Sequence, residues 1–454
     1  MFDSRSSRLF RFIPVSAALA ARGVFFVSLL ASQTIAAAEL PPEEVWGAKF
    51  QATYIWQHKR PFDARYTGAN SLTPAREQSH SFTATAFLGM RPWRGGELYF
   101  NPEIAAGVPL SALTGLGGFS NGEITRSSGP NPKLYRARLF LRQTWGFGGG
   151  KEAIDSDQNQ LAGNVDRRRL VLTAGNLAIL DLFDDNIYAH DPRVNFLNWG
   201  LMTHAAYDYA ADSRGYSRGM ALEYYHDEWA LRAGRFIQPR LPNQLALNPH
   251  IFTIYGDQVE IEHGHTIAGQ PGKLRFLAFS NRANMVSFAD ALRLGVDITD
   301  PLAESVRRVQ NKRGFGINVE QALSPSFGVF ARAAIADGRT ETYAFTEADR
   351  SLAVGAVVKG SAWTRPQDTI GFALLRHGLS SDRRNFLSNG HLSFFIGDGG
   401  LTYGPEQIIE TFYSLGAMKG TWATFDYQRI RNPAYNADRA GPVEIWSLRL
   451  HTEF

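Results

Sequence analysis

The fold class predicted by the sequence is all-β: a transmembrane antiparallel β-barrel of about 16 strands. Three observations point there. Short segments alternate apolar and polar residues along most of the chain, separated by Gly, Pro, Asn and Asp. Strand side chains alternate between two faces, so such segments build a sheet with one apolar and one polar side. Beyond the amino terminus no run approaches ~18 consecutive apolar residues, which leaves strands rather than helices to cross a bilayer. The last residues, VEIWSLRLHTEF at 443–454, put Trp446, Leu448, Leu450 and Phe454 on one side and Ser447, Arg449, His451 and Glu453 on the other. Lipid outside and a wet lumen inside suit such a strand, although a half-buried strand of a soluble sheet would alternate in the same way.

At the amino terminus, Arg5, Arg8, Arg11 and Arg22 precede and flank the apolar core GVFFVSLL at 23–30, and Ala36-Ala37-Ala38 offers a cleavage site. This is the pattern of a secretory signal peptide over 1–38, and its core is too short to span as a helix. Removing it takes away four Arg and one Asp, leaving 43 basic and 42 acidic residues and a net charge of +1. The basicity therefore belongs to the leader, and nucleic acid is not an expected partner. Abundant glycine (43) and aromatics (31 Phe, 16 Tyr, 9 Trp) fit a barrel with interfacial girdles in the mature 39–454 domain. A mean hydropathy of −0.22 excludes a helical membrane protein, and the absence of cysteine excludes disulfides and thiolate metal sites.

The segment 49–57 sets Phe50, Ala52, Tyr54 and Trp56 on one face, and 81–91 does the same with Phe82, Ala84, Ala86, Leu88 and Met90. At 97–105, Leu98, Phe100 and Ile104 oppose Glu97, Tyr99, Asn101 and Glu103. At 134–146, Tyr135, Ala137, Leu139 and Leu141 oppose Arg136, Arg138 and Arg142. Twelve further strands are expected at 167–176, 217–225, 229–236, 258–264, 273–280, 314–321, 326–334, 351–359, 368–376, 406–415, 421–430 and 443–454. Connectors alternate between short (226–228, 324–326) and long (106–133, 177–216, 281–313, 377–405), the asymmetry of a porin's two ends.

The longest connector mixes acidic, aromatic and apolar residues: Asp181, Asp184 and Asp185, then His190, Trp199 and His204, with a short helix expected near 192–205. Such a mixture packs against something. A loop folded into the lumen and an external loop with its own small core both satisfy it.

Three guanidiniums on one face of 134–146 cannot face lipid, where a midplane Arg costs ~2–4 kcal/mol. They predict a lumenal basic ladder, with Glu97, Glu103, Glu260, Glu262 and Asp426 as facing carboxylates. For sugars, charged groups supply several hydrogen bonds each and aromatic rings pack on pyranose faces, making Tyr99, Trp145, Trp199 and Trp422 stacking candidates. Trp56 and Trp446 read as girdle residues instead. Asp184, Asp185 and His190 match no metal or acid–base motif, and no H-E-x-x-H, G-x-S-x-G or Walker pattern occurs. Paired carboxylates beside aromatics would also suit a secreted glycosidase, but a hydrolase does not need alternation in segment after segment. No enzyme and no cofactor are expected.

The runs RLFLRQTWGFGG at 138–149, NQLAGNVDRRRLVLTAGNLAILDLFDDNIYAHDPRVNFLNWG at 159–200, IGDGGLTYGPEQIIETFYS at 396–414 and DYQRIRNPAYNADRAGPVEIWSLRLHTEF at 426–454 resemble the OprB-type carbohydrate-selective porins of Gram-negative outer membranes. The resemblance implies a sixteen-stranded barrel with long loops at one end and one loop folded into the lumen. It also implies facilitated diffusion of glucose and related sugars without a cofactor, and a place near the constriction for the DLFDDN run. Two features depart from the family pattern. Ala440 stands between Arg439 and Gly441, and Thr452 occupies the third position from the end, where an aromatic is usual. The expected pore-lining set is Arg136, Arg138, Arg142, Glu97, Tyr99, Glu103, Asp181, Asp184, Asp185, Trp199 and Asp426. Expected partners are permeating sugars, outer-membrane lipid and lipopolysaccharide, and the barrel-assembly machinery through Phe454. The outward aromatics allow a homo-oligomer without picking out an interface. The alternative function is export of a polysaccharide through the same barrel.

Overall fold

The computed structural model describes residues 42–124, 129–344 and 347–454. The expected leader at 1–38 lies outside the described residues. Eighteen strands occur among them: β1 (Trp46–Lys59), β2 (Glu77–Trp93), β3 (Gly96–Val108), β4 (Lys133–Gly146), β5 (Lys151–Ile154), β6 (Gly163–Asp166), β7 (Arg169–Leu177), β8 (Ser217–His226), β9 (Trp229–Ile237), β10 (Tyr255–Ile267), β11 (Gln270–Met285), β12 (Arg308–Ser324), β13 (Phe327–Ala336), β14 (Arg350–Lys359), β15 (Thr369–Gly378), β16 (Glu406–Met418), β17 (Thr421–Arg431) and β18 (Val443–Glu453). Sixteen close an antiparallel barrel in which β1 meets β18 and β4 pairs with β7, while β5 and β6 form a separate hairpin.

Each of the sixteen alternating segments of the sequence overlaps one barrel strand. The strands run longer than the alternation, as at β11, because main-chain pairing continues where the outward side chains turn polar at Arg282 and Asn284. The outer wall exposes apolar side chains such as Leu222, Phe276, Ile317, Phe372, Ile409 and Leu450, while the inward positions between them are buried and largely polar. That is a barrel turned inside out relative to a soluble protein, as a lipid solvent requires.

The apolar core lies inside the barrel and is built by the loops. Phe119 meets Trp199 edge to face at 6.0 Å and Phe395 at 4.9 Å, and Leu180, Leu182, Phe183 and Tyr209 join the same cluster. The 178–216 connector is thus folded into the lumen. Its backbone has no ladder to bond to, so inward side chains of the wall supply partners. Glu410 accepts from the amides of Leu197 (2.5 Å) and Asn198 (3.0 Å). Arg449 donates to the carbonyls of Pro192 (2.6 Å) and Asn195 (2.7 Å). Arg332 donates to those of Ala189 (2.5 Å), Leu201 (2.9 Å) and Asp184 (2.9 Å). Because these main-chain groups are spent on the wall, the helix expected near 192–205 shrinks to Trp199–Met202.

A second insertion comes from the short-turn end and was not foreseen. Residues 147–168 carry the β5–β6 hairpin, and the stretch 158–162 at its tip tucks into the lumen: the Leu161 amide donates to Tyr99 Oη (3.2 Å) and Arg142 donates to the Asn159 carbonyl (3.1 Å). Gly47 makes room, since a Cβ there would sit 3.1 Å from a Leu161 methyl.

Candidate functional site

Two cavities among the described residues of the lumen bear on transport, and the larger lies between the two insertions. One of about 190 Å³, on the long-loop side, is lined by Glu103, Arg138, Asp181, Arg193, Trp199 and Tyr216 among others. One of about 750 Å³, toward the short turns, is lined by Glu97, Arg142, Asp181, Asp185, Tyr225 and Arg232 among others. Asp181 belongs to both. Arg138 holds it in a two-point ion pair, Nε to Oδ2 at 2.7 Å and Nη2 to Oδ1 at 2.6 Å. This charge-assisted, planar geometry fixes both side chains at the junction.

The strands bring the neighbouring groups in by alternation. On β4, Arg138, Phe140 and Arg142 point inward opposite Asn101, Tyr99 and Glu97 of β3. Glu97 lies 3.4 Å from Arg142 and 2.7 Å from Arg91, and accepts from Tyr99 Oη at 2.9 Å. Tyr99 stacks on Phe140 at 5.0 Å, and the Arg142 guanidinium lies 5.2 Å from the Tyr99 ring. Glu103 accepts from Thr85 (2.7 Å), Tyr216 (3.2 Å) and Tyr135, and faces Arg193 at 3.4 Å.

The three-arginine ladder expected on one face is corrected at Arg136. Pro102 has no N–H to give the ladder, and the register shifts there: Asn101 pairs with Arg138, Pro102 with Arg136. Ala137 is the extra residue. Tyr135 therefore turns inward and Arg136 is exposed on the outer wall. The proline was the available signal.

The other expected residues separate into two groups. Asp185 lines the larger cavity, 3.6 Å from Arg275, and Trp199 lines the smaller one with its Nε1 donating to the Asn121 carbonyl (3.1 Å). Asp184 is fully buried and lines neither cavity. It accepts from Thr203 (2.7 Å), the His204 amide (2.9 Å), Asn318 (2.5 Å) and Arg332 (3.2 Å), so it knots the inserted loop to β12 and β13. Burial alone would raise its pKa, but Arg332 and the surrounding donors outweigh that and hold it down at about 2. His204 lies 3.3 Å from this carboxylate. Burial, helped by Arg332, still lowers its pKa to about 4, so it is neutral at pH 7 and the contact is not an ion pair there. Asp426 is buried on β17 beside Gln428 and lines neither of these cavities. Trp145 is exposed on the outer wall, and Trp422 sits by the short turns, bonded to the Gln367 carbonyl.

Sequence reasoning missed Tyr216, Arg193, Tyr225, Glu223 and Arg232; Arg232 binds Glu223 (3.1 Å) together with the expected lumenal carboxylates Glu260 (2.9 Å) and Glu262 (3.2 Å). Glu223 and Tyr225 lie at alternate positions of β8, a signal present in the sequence. Among the described residues no group of three His, Asp or Glu side chains is arranged to hold a metal ion.

Comparison with known proteins agrees with this architecture. A family model for the carbohydrate-selective porin, OprB family, matches residues 83–454. The high-pH structure of Pseudomonas putida OprB superposes with a TM-score of 0.66 at 14% identity, covering 90% of this chain and 94% of that one. The outer-membrane channel DcaP of Acinetobacter baumannii gives 0.49 at 9% identity, covering 90% and 97%. No curated protein matches the sequence. A matched region spanning most of the chain, on a closed sixteen-stranded barrel of the Gram-negative outer membrane, leads to one assignment: the chain belongs to the OprB family of carbohydrate-selective porins.

Proposed function

We propose that this outer-membrane porin passes sugars such as glucose by facilitated diffusion, and that the Arg138–Asp181 pair is the point each sugar must pass. The observation that carries the proposal is the presence of Asp181 on the walls of both cavities, bonded to Arg138. A paired guanidinium and carboxylate present several donors and acceptors with little net charge, which suits a neutral polyol better than an ion. Trp199 and Tyr216 on one side, and Tyr225 on the other, offer ring faces for pyranose C–H groups. Glu97, Tyr99 and Arg142 continue the polar track on the short-turn side. Several weak contacts in series favour entry without trapping.

Planar-bilayer recordings test this. Glucose added to either side should reduce the ion current in a saturable way. A channel whose current is unaffected by every sugar tried overturns it.

A further inference from the structure

The outer wall carries a feature that transport does not use. At the long-loop ends of β14 to β17, Arg376, Gln407 and Arg431 stand in one hydrogen-bonded row, with Leu352 of β14 in register beside Arg376. Arg350 lies one outward position further along β14, and Arg313 is outward and exposed on β12. Arg350, Arg376 and Arg431 are likewise exposed, and among the described residues none of the four meets a carboxylate at ion-pair distance. Of the acids near this wall, Glu444 of β18 is already bound by Arg60 (2.9 Å) and Tyr427 (3.0 Å), and Asp337 after β13 accepts from the main-chain amides of Arg313 (3.2 Å) and Arg339 (3.3 Å). Elsewhere on the wall Arg235 of β9 is neutralised by Asp257 of β10 through two bonds of 2.7 Å, and the exposed Arg136 of β4 and Arg218 of β8 stand singly rather than in a cluster.

These cations border an exposed apolar surface. Leu352 shares their row, and Val354, Phe372, Leu374 and Ile409 continue below it as an exposed apolar wall. Unpaired guanidiniums at the top of an acyl-facing surface call for an anion on a molecule that also carries acyl chains. Arginine suits phosphate in particular, through its forked donors. We propose that Arg350, Arg376 and Arg431, flanked by Arg313, form a binding site for the phosphate groups of an outer-leaflet glycolipid whose acyl chains lie on Leu352, Phe372, Leu374 and Ile409.

The test uses the full-length porin in detergent micelles, with diphosphoryl lipid A as probe and native mass spectrometry as readout. At about fivefold per arginine near an anionic surface, R376Q should bind lipid A about fivefold more weakly, and R350Q/R376Q/R431Q on the order of a hundredfold. R218Q, exposed on β8 outside the patch, should bind as the unmodified protein does. Lipid A stripped of both phosphates should bind the unmodified protein as weakly as diphosphoryl lipid A binds the triple variant. Millimolar inorganic phosphate should not displace the probe. Unchanged binding by R376Q and the triple variant overturns the site, as does an equal loss in R218Q. Displacement by inorganic phosphate alone would reduce it to a simple anion site and overturn the lipid assignment. Heat-modifiable migration confirms folding, and if the triple variant does not fold, R376Q alone decides.

Discussion

Asp181 and Asp184 stand three positions apart in one acidic run, yet the first faces open lumen and the second is sealed against Arg332. Replacing Asp181 with Asn would leave Arg138 without its counter-charge at the junction. The expected result is a shift of reversal potential toward anion selectivity in a salt gradient, with glucose block needing several-fold more sugar. Replacing Asp184 with Ala would strand a buried guanidinium, a change worth ~3–5 kcal/mol in other proteins. The expected result is rapid proteolysis within 178–216 while the barrel stays resistant. Composition could nominate both aspartates but not tell them apart, because their difference lies in which wall residue comes within ~3 Å after the strands close.

At the scale of elements, period-two alternation made all sixteen barrel strands legible. It failed where one residue breaks the period, as at Pro102, and where a connector buries itself. The 178–216 loop is held by backbone bonds from Glu410, Arg449 and Arg332, and His204 makes that packing sensitive to pH. His204 has a lowered pKa in the packed loop and an ordinary one when the loop is released, so the released state binds more protons. The packed loop is therefore favoured above about pH 6.5 and loses stability as pH falls toward about 4. Asp184, lowered to about 2, adds a further loss below its ordinary value near 3.8. Current fluctuations should increase between pH 7 and 4.5, and replacing His204 with Gln should flatten that change. The hairpin at the opposite end gives a simpler expectation. Replacing 151–166 with a short turn should raise single-channel conductance, because it removes Leu161 and its neighbours from the lumen.

For the whole molecule, closure depends on β1 meeting β18. Phe454 adds two main-chain bonds to Phe50 (2.8 and 3.0 Å) and stacks on its ring at 5.9 Å, while remaining 79% exposed. Deleting Phe454 should reduce the yield of assembled barrel in the outer membrane, measured by heat-modifiable migration, if its exposed end is what the assembly machinery reads. The amino-acid sequence by itself determined that the chain forms a barrel of sixteen strands and, wherever the alternation is unbroken, which side chains face inward, because alternation is a local property of each strand. Only the tertiary structure decided how the inward charges are used. Glu410, Arg332, Arg449 and Asp184 fasten inserted backbone, and Asp181, paired with Arg138, lines both lumenal cavities. That division follows from burial: a buried loop amide or carbonyl must find a partner, and which wall residue it finds depends on contacts some hundreds of positions apart in the chain.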